Sequence, residues 1–325
     1  TINPAASLET LQGYYVLIDA TAINDAVGNS YAGIGNSSSL NFTAADLSAP
    51  TLTSSSPADG ATGVAIGANI ILSFNETVVV GSGNITLKKS SDNSIVEAVA
   101  VGSGQVSVSG NTVTINPSAN LLSLQGYYVQ VAATALDDAS GNSFAGISDT
   151  TTLNFTAADV TAPTLSSSSP ADNATGVAVG ASIVLTFNES VAAGSGNFTL
   201  FKSDNTQVEA MAVGGARITI SGATVTIDPS ADLDSSQGYY LQVAATAIDD
   251  TSGNSYAGIS DTTTLSFLAV DNVNPTLAST TPTDNATGIT PGANIVLTFS
   301  ENVQVGSGNI TLFKSDNTQV EAIDV

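Results

Sequence analysis

The string Gln-Gly-Tyr-Tyr occurs three times in this chain, at 12–15, 125–128 and 237–240, with offsets of 113 and 112 residues. The proline of Pro-Thr-Leu returns at Pro50, Pro163 and Pro275 with the same offsets. The segment 200–210, LFKSDNTQVEA, recurs unchanged at 312–322. A unit of about 112 residues is too long for a solenoid turn and has the size of a whole domain. The repeat therefore divides the 325 residues into the back part of one domain (1–46), two complete domains (47–159 and 160–271) and the front part of a fourth (272–325). Val325 aligns with Val213 and Thr1 with Thr226, so 12 positions separate the end of the pattern from its start. A window on a longer array is expected. A sharper alternative is that one chain's front part completes another's back part by strand complementation.

Within one unit the pattern is that of short strands. In the second complete domain, alternation and turn residues predict strands over 164–169, 182–187, 197–202, 207–213, 217–221, 224–227, 239–247 and 263–268. Ser203-Asp204-Asn205 reads as a hairpin turn and Pro170-Ala-Asp-Asn173 as a turn after the first strand. Seven or more such strands without a helical stretch predict an all-β fold: tandem Ig-like antiparallel sandwiches arranged as beads on a string. The Gly-Tyr-Tyr opening 239–247 fits a tyrosine corner, in which one hydroxyl bonds back to upstream backbone. The plainer alternative is two aromatics on opposite strand faces, one in the core and one outside.

Composition narrows the chemistry. Cysteine, histidine and tryptophan are absent, and 28 acidic residues face 5 basic ones, a formal charge of −23. Disulfides, thiolate or imidazole metal sites and Ser-His-Asp or Cys-His nucleophiles are thereby excluded. Five cations cannot build a phosphate-binding patch, so no nucleic-acid partner is expected. Hydrophobic residues make up 42% of the chain, enough for packed cores. No apolar run reaches the roughly 20 residues of a membrane span, and no basic and apolar leader opens the segment.

The unit resembles a bacterial Ig-like domain of the kind repeated in surface-layer proteins and large cell-surface adhesins. The residues carrying this are Ala162-Pro163-Thr164, Ser169-Pro170-Ala171-Asp172, Phe187-Asn188-Glu189, Gly196-Asn197-Phe198-Thr199-Leu200 and Gly253-Asn254-Ser255-Tyr256-Ala257-Gly258. They recur in the other copies with small changes. The resemblance implies an extracellular, cell-surface bacterial array that serves mainly as a spacer.

The acids are grouped. In an Ig-type sandwich the B–C and F–G loops share a pole with the linker entering strand A. That pole receives Asp46, Glu76, Asp137 and Asp138 in the first complete domain, and Asp159, Glu189, Asp249 and Asp250 in the second. Asp271 and Glu301 begin the same set in the fourth, and the leading part-domain has Asn24-Asp25 in place of Asp-Asp. Converging carboxylates repel unless a hard cation holds them. Ca²⁺ takes six to eight oxygens and needs no nitrogen or sulfur, so it is the expected ion, with Asn188, Asn254 and loop carbonyls as further donors. The loop fails the EF-hand spacing, so this expectation rests on convergence alone. The alternative is that these acids only form turns and solubilise.

The expected function is structural and non-enzymatic: a stalk or fibre whose joints calcium stiffens. The partners are neighbouring domains of the same array, with homotypic assembly into a fibre or layer as an alternative. A second alternative is a glycan- or protein-binding module using the loop Asn254-Ser255-Tyr256-Ala257. Asn-x-Ser/Thr triplets such as Asn84-Ile-Thr86 are frequent, but several fall inside predicted strands, where glycosylation is not expected.

Overall fold

The computed structural model describes residues 1–324, and no helix occurs among them. The chain separates into two compact units, 1–162 with 252–254, and the remainder.

In the first unit, one sheet runs in the order Leu52–Ser56, Ile70–Phe74, Thr112–Ile115, Val106–Ser109, all antiparallel. A second sheet runs Ala61–Val64, Asn154–Ala157, Gly126–Val131, Asn84–Lys89, Ile95–Ala100. Its first pair is parallel. A short ribbon pairs Val78–Val80 with Leu136–Asp138. Period-two alternation makes the interior: Ile70, Leu72 and Phe74 are buried while Ile71 and Ser73 are only half so. They pack with Val113, Ile115, Ile85, Leu87, Val129 and Phe155 in one core. Removing a fully buried side chain such as Leu72 costs about 2–5 kcal/mol.

The second unit repeats this order with Leu165–Ser169, Ile183–Phe187, Thr224–Ile227 and Ile218–Ser221 in one sheet. Ala174–Val177, Ser266–Ala269, Gly238–Val243, Asn197–Lys202 and Gln207–Ala212 form the other. The expected strands 164–169, 182–187, 197–202, 207–213, 217–221 and 224–227 therefore stand within a residue at each end. The expected strand 239–247 does not. It stops at Val243, turns with Ala247 N donating to Ala244 O, and resumes as Ile248–Asp250 on a different partner, Val191–Ala193. The run of Ala244-Ala245-Thr246-Ala247 gave no turn signal, and the bend is held by Thr246 Oγ1 donating to Ser195 O at 2.7 Å. Ala174–Val177 was also unforeseen. It is fixed from outside, by Asp172 Oδ1 accepting Ser266 N at 2.9 Å, which explains the Ser-Pro-Ala-Asp motif.

Tyrosine corners are present in three copies. The hydroxyl of Tyr14 accepts Glu9 N at 2.7 Å, that of Tyr127 accepts Leu122 N at 2.8 Å, and that of Tyr239 accepts Asp234 N at 2.8 Å. In the complete domains the second tyrosine is not outside. Tyr128 and Tyr240 are also buried, donating to Asn93 Oδ1 and Asn205 Oδ1 at 3.1 and 3.0 Å. The triplets beginning at Asn84 and Asn197 lie in strands.

In 1–46 and 272–324, positions whose repeat equivalents are core residues stand exposed. Leu297 and Ile310 are examples, against buried Leu185 and Phe198.

Tyr127→Phe should destabilise its domain by about 1–3 kcal/mol, because Leu122 N loses its only side-chain acceptor. Urea denaturation should show a lower midpoint at unchanged slope.

Candidate metal centre

The linker, two loops and one buried turn make the site in the first unit. Pro50-Thr51 opens the first strand, and Asn75 at the end of Ile70–Phe74 closes on it. Thr51 N donates to Asn75 Oδ1 at 2.6 Å and Asn75 N donates to Thr51 O at 3.1 Å. This pair brings Glu76, the next residue, beside the linker. The same clasp joins Thr164 to Asn188 and Thr276 to Ser300. The Phe-Asn-Glu motif is thus a clasp followed by an acid. Asn188, expected as a possible ligand, spends its side-chain oxygen on Thr164 N.

Asp138 ends the ribbon strand Leu136–Asp138 and is only 2% exposed. Its Oδ1 accepts Ser140 N at 2.8 Å and Asn142 N at 2.7 Å, and its Oδ2 accepts Asn142 Nδ2 at 2.6 Å. Gly141, at φ 89°, makes the turn possible. Asn142 Nδ2 also reaches Asp46 O at 3.2 Å, tying the turn to the linker. Asp46, Glu76 and Asp138 thereby come together: one carboxylate oxygen from each lies within 4.8 Å of the others.

Asp137 is not in this group. Strand alternation turns it to the other face, where it accepts Ser143 Oγ at 2.6 Å and crowds Gly81. Asp249 stands in the same way, accepting Ser255 Oγ at 2.5 Å. In the first complete domain the expected four-acid set is therefore three acids. In the leading part-domain Asn24 stands at the outward position and accepts Ser30 Oγ in the same way. Asp25 keeps the inward turn, with bonds from Val27 N, Asn29 N and Asn29 Nδ2.

By the repeat, Asp159, Glu189 and Asp250 correspond to Asp46, Glu76 and Asp138. Asp159 accepts Ser123 Oγ at 2.9 Å and Thr161 Oγ1 at 2.6 Å. Asp250 is 3% exposed at the end of Ile248–Asp250. Asp271 lies beside Glu301 and accepts Ser235 Oγ at 2.9 Å.

The electrostatics of the first group are uneven. Burial opposes charge on Asp138, but the Asn142, Ser140 and Gly141 donors outweigh it and hold its carboxyl below the usual range. Glu76 goes the other way. Burial and then the charges of Asp46 and Asp138 push it above its ordinary value. Three oxygen-only groups with one carboxylate short of stabilisation suit a hard cation: nothing in the group is a soft donor.

A family model described as bacterial Ig-like domain matches residues 46–157, 159–268 and 271–325. The chain belongs to the bacterial Ig-like domain family. No curated protein matches it. Among solved structures, a biofilm-associated protein (BSP domain) is similar at 12% identity over 66% of this chain, with a TM-score of 0.20. This chain spans 29% of that one. The FN1–FN3 domains of chicken CNTN1 align at 9% identity over 81% of this chain and 80% of theirs, TM-score 0.25. The S-layer protein rSbsC aligns at 11% identity over 83% of this chain and 48% of its own, TM-score 0.24.

Within this bacterial Ig-like chain the loop 254–257 offers no aromatic platform. Tyr256 is 8% exposed and packs edge-on against Phe187 at 5.1 Å, as Phe144 does against Phe74. Sequence reasoning missed Asn142, which joins turn to linker. Its place in Asp-Asp-x-x-Gly-Asn was visible, but not that its amide would donate to both Asp138 and Asp46.

The raised Glu76 fixes a sign. Between its ordinary and its raised value the folded state binds the extra proton, so stability falls as pH rises through that window and the penalty persists at pH 7. In EDTA at pH 7, Glu76→Gln should raise the melting temperature, by on the order of a few degrees. Thermal melts from pH 4.5 to 7 should show that gain shrink on acidification.

Proposed function

We propose that this chain is part of a non-enzymatic structural array on the outside of a bacterial cell, an adhesin stalk or extracellular fibre, with calcium at its linkers. Membership of the bacterial Ig-like family supports the structural role. The observation that carries the calcium reading is the convergence of Asp46, Glu76 and Asp138, which come from the linker and from a loop and a strand end of the domain that follows it. An ion bridging them would hold the linker against that domain. Loop carbonyls and water would complete its shell, and Mg²⁺ suits the group less because it demands stricter octahedral geometry. Extracellular modules of this kind bind calcium at about 10⁻⁴–10⁻³ M, so the sites would be filled in seawater or serum. Without the ion, the formal charge of −23 would loosen the array by self-repulsion.

No helix among the described residues is long and apolar enough to cross a membrane.

The test is a thermal melt of the 325-residue chain in millimolar calcium and in EDTA, run beside small-angle scattering. Calcium should raise the melting temperature and narrow the range of interdomain distances. Glu76→Gln, expected to stabilise in EDTA, should remove the calcium gain at its own linker. Unchanged melting and scattering in calcium would leave the acids as turn formers and the chain as a plain spacer. Association that grows with protein concentration would instead favour a self-assembling subunit.

A further inference from the structure

Three times in this chain one hydroxyl joins a corner loop to the linker that leaves the same domain. Thr10 Oγ1 lies 3.1 Å from Asp46 Oδ1 and 3.0 Å from Ala45 O, with its proton for one of them, and accepts Leu47 N at 3.0 Å. Ser123 Oγ donates to Asp159 Oδ1 at 2.9 Å and accepts Val160 N at 3.0 Å. Ser235 Oγ donates to Asp271 Oδ1 at 2.9 Å and accepts Asn272 N at 3.0 Å. The same aspartate oxygen then accepts the amide two residues on: Ser48 N, Thr161 N or Val273 N.

Two features show that the hydroxyl is placed rather than incidental. It always sits one residue after the amide held by the corner tyrosine, so a bond from the strand that carries that tyrosine fixes its position. It is also followed by a residue in the left-handed region: Leu11 at φ 57°, Leu124 at φ 57° and Ser236 at φ 58°. Leucine disfavours that region, and Leu11 and Leu124 are 63% and 62% exposed, so no burial of the side chain offsets the strain. The backbone bend turns the loop towards the linker, and Leu124 N donates to Ala158 O and Ser236 N to Val270 O.

We propose that Thr10, Ser123 and Ser235 are positioning residues that clamp the linker aspartate to the corner loop and set the linker's direction with no cation bound. The path runs from core tyrosine to loop amide, to the neighbouring hydroxyl, to the linker carboxylate. In the proposed calcium joint, which this inference otherwise does not need, the clamp would present a pre-placed carboxylate and reduce the ordering that binding must impose.

The experiment uses the full 325-residue chain and compares Thr10→Ala, Ser123→Ala and Ser235→Ala with the hydroxyl-retaining Thr10→Ser, Ser123→Thr and Ser235→Thr. Residue-resolved amide exchange in EDTA is read at Ser48, Thr161 and Val273. Each alanine variant should speed exchange at its own linker amide about tenfold and leave the other two unchanged, and its hydroxyl partner should restore protection. Wild-type exchange in the alanine variants would overturn the clamp, since the aspartate's local turn would then suffice alone. Faster exchange throughout the domain with a fallen melting temperature would also overturn it, in favour of a role in folding. Calcium titration of Thr10→Ala should show weaker binding than wild type. A wild-type chain that binds no calcium would sink the cation reading, while the exchange result would still decide the clamp.

Discussion

Twenty-eight carboxylates share a chain with five basic side chains, so almost every negative charge must be settled by N–H and O–H donors. The turns are built for that purpose. Asp149 takes bonds from the amides and hydroxyls of Thr151 and Thr152, and Asp261 does the same with Thr263 and Thr264. These donors hold Asp261 down at about 2, with Asp149 lower still. Asn36 does the same work without charge, accepting Ser38 N and Ser39 N. Each of these turns leads into the last strand of its copy, so the neutralisation of acids and the placing of strands are one set of bonds.

The candidate metal centre follows from the same constraint. Asp138 is supplied with donors by its own turn and can be buried and charged at once. Asp46 is supplied by Thr10 and Ser48. Glu76, carried in by the Asn75–Thr51 clasp, is pushed up by burial and then by the charges of Asp46 and Asp138, and the one Asn75 hydrogen bond does not offset them. Two of the three carboxylates are thus supplied with several protein donors each, and the third is held against them. The same logic makes Lys202 and Asp234 pair at 2.7 Å where the copies diverge: Leu122 stands at the position of Asp234 in the earlier copy, and there no acid needs settling.

Much of this was legible in the sequence because it is periodic. The repeat gave the domain size, alternation gave the sheet strands, and Gly-Tyr-Tyr gave the corner. What was not legible is set by contacts far along the chain. The break after Val243 needs Ser195, and the strand Ala174–Val177 needs Ser266. Loop assignment put Asp137 and Asp138 together at one pole, yet they belong to a two-residue-period strand, and only one can face the linker. A doublet of acids in a strand offers one ligand, not two; reading 136–138 as strand rather than loop would have removed Asp137 and Asp249 from the candidate set.

The copies differ where the fold permits it and agree where a side chain holds backbone. Lys88 corresponds to Phe201 and Gln105 to Arg217, both on partly or fully exposed positions; the equivalent tyrosine takes either partner, Phe201 stacking on Tyr240 at 5.1 Å and Lys88 lying over Tyr128 at 6.0 Å. Thr and Ser exchange at 10, 123 and 235, where only the hydroxyl is used. Asn and Asp exchange at 24 and 137, where only an oxygen acceptor is used. Asp25 and Asp138, which each accept three donors from one turn, are the same residue in both places. The tolerance of each position is thus read from how many of its atoms the backbone needs. By that measure the linker aspartate, with one oxygen bound to the preceding loop and to the amide ahead of it, belongs to the architecture first and to any bound ion second.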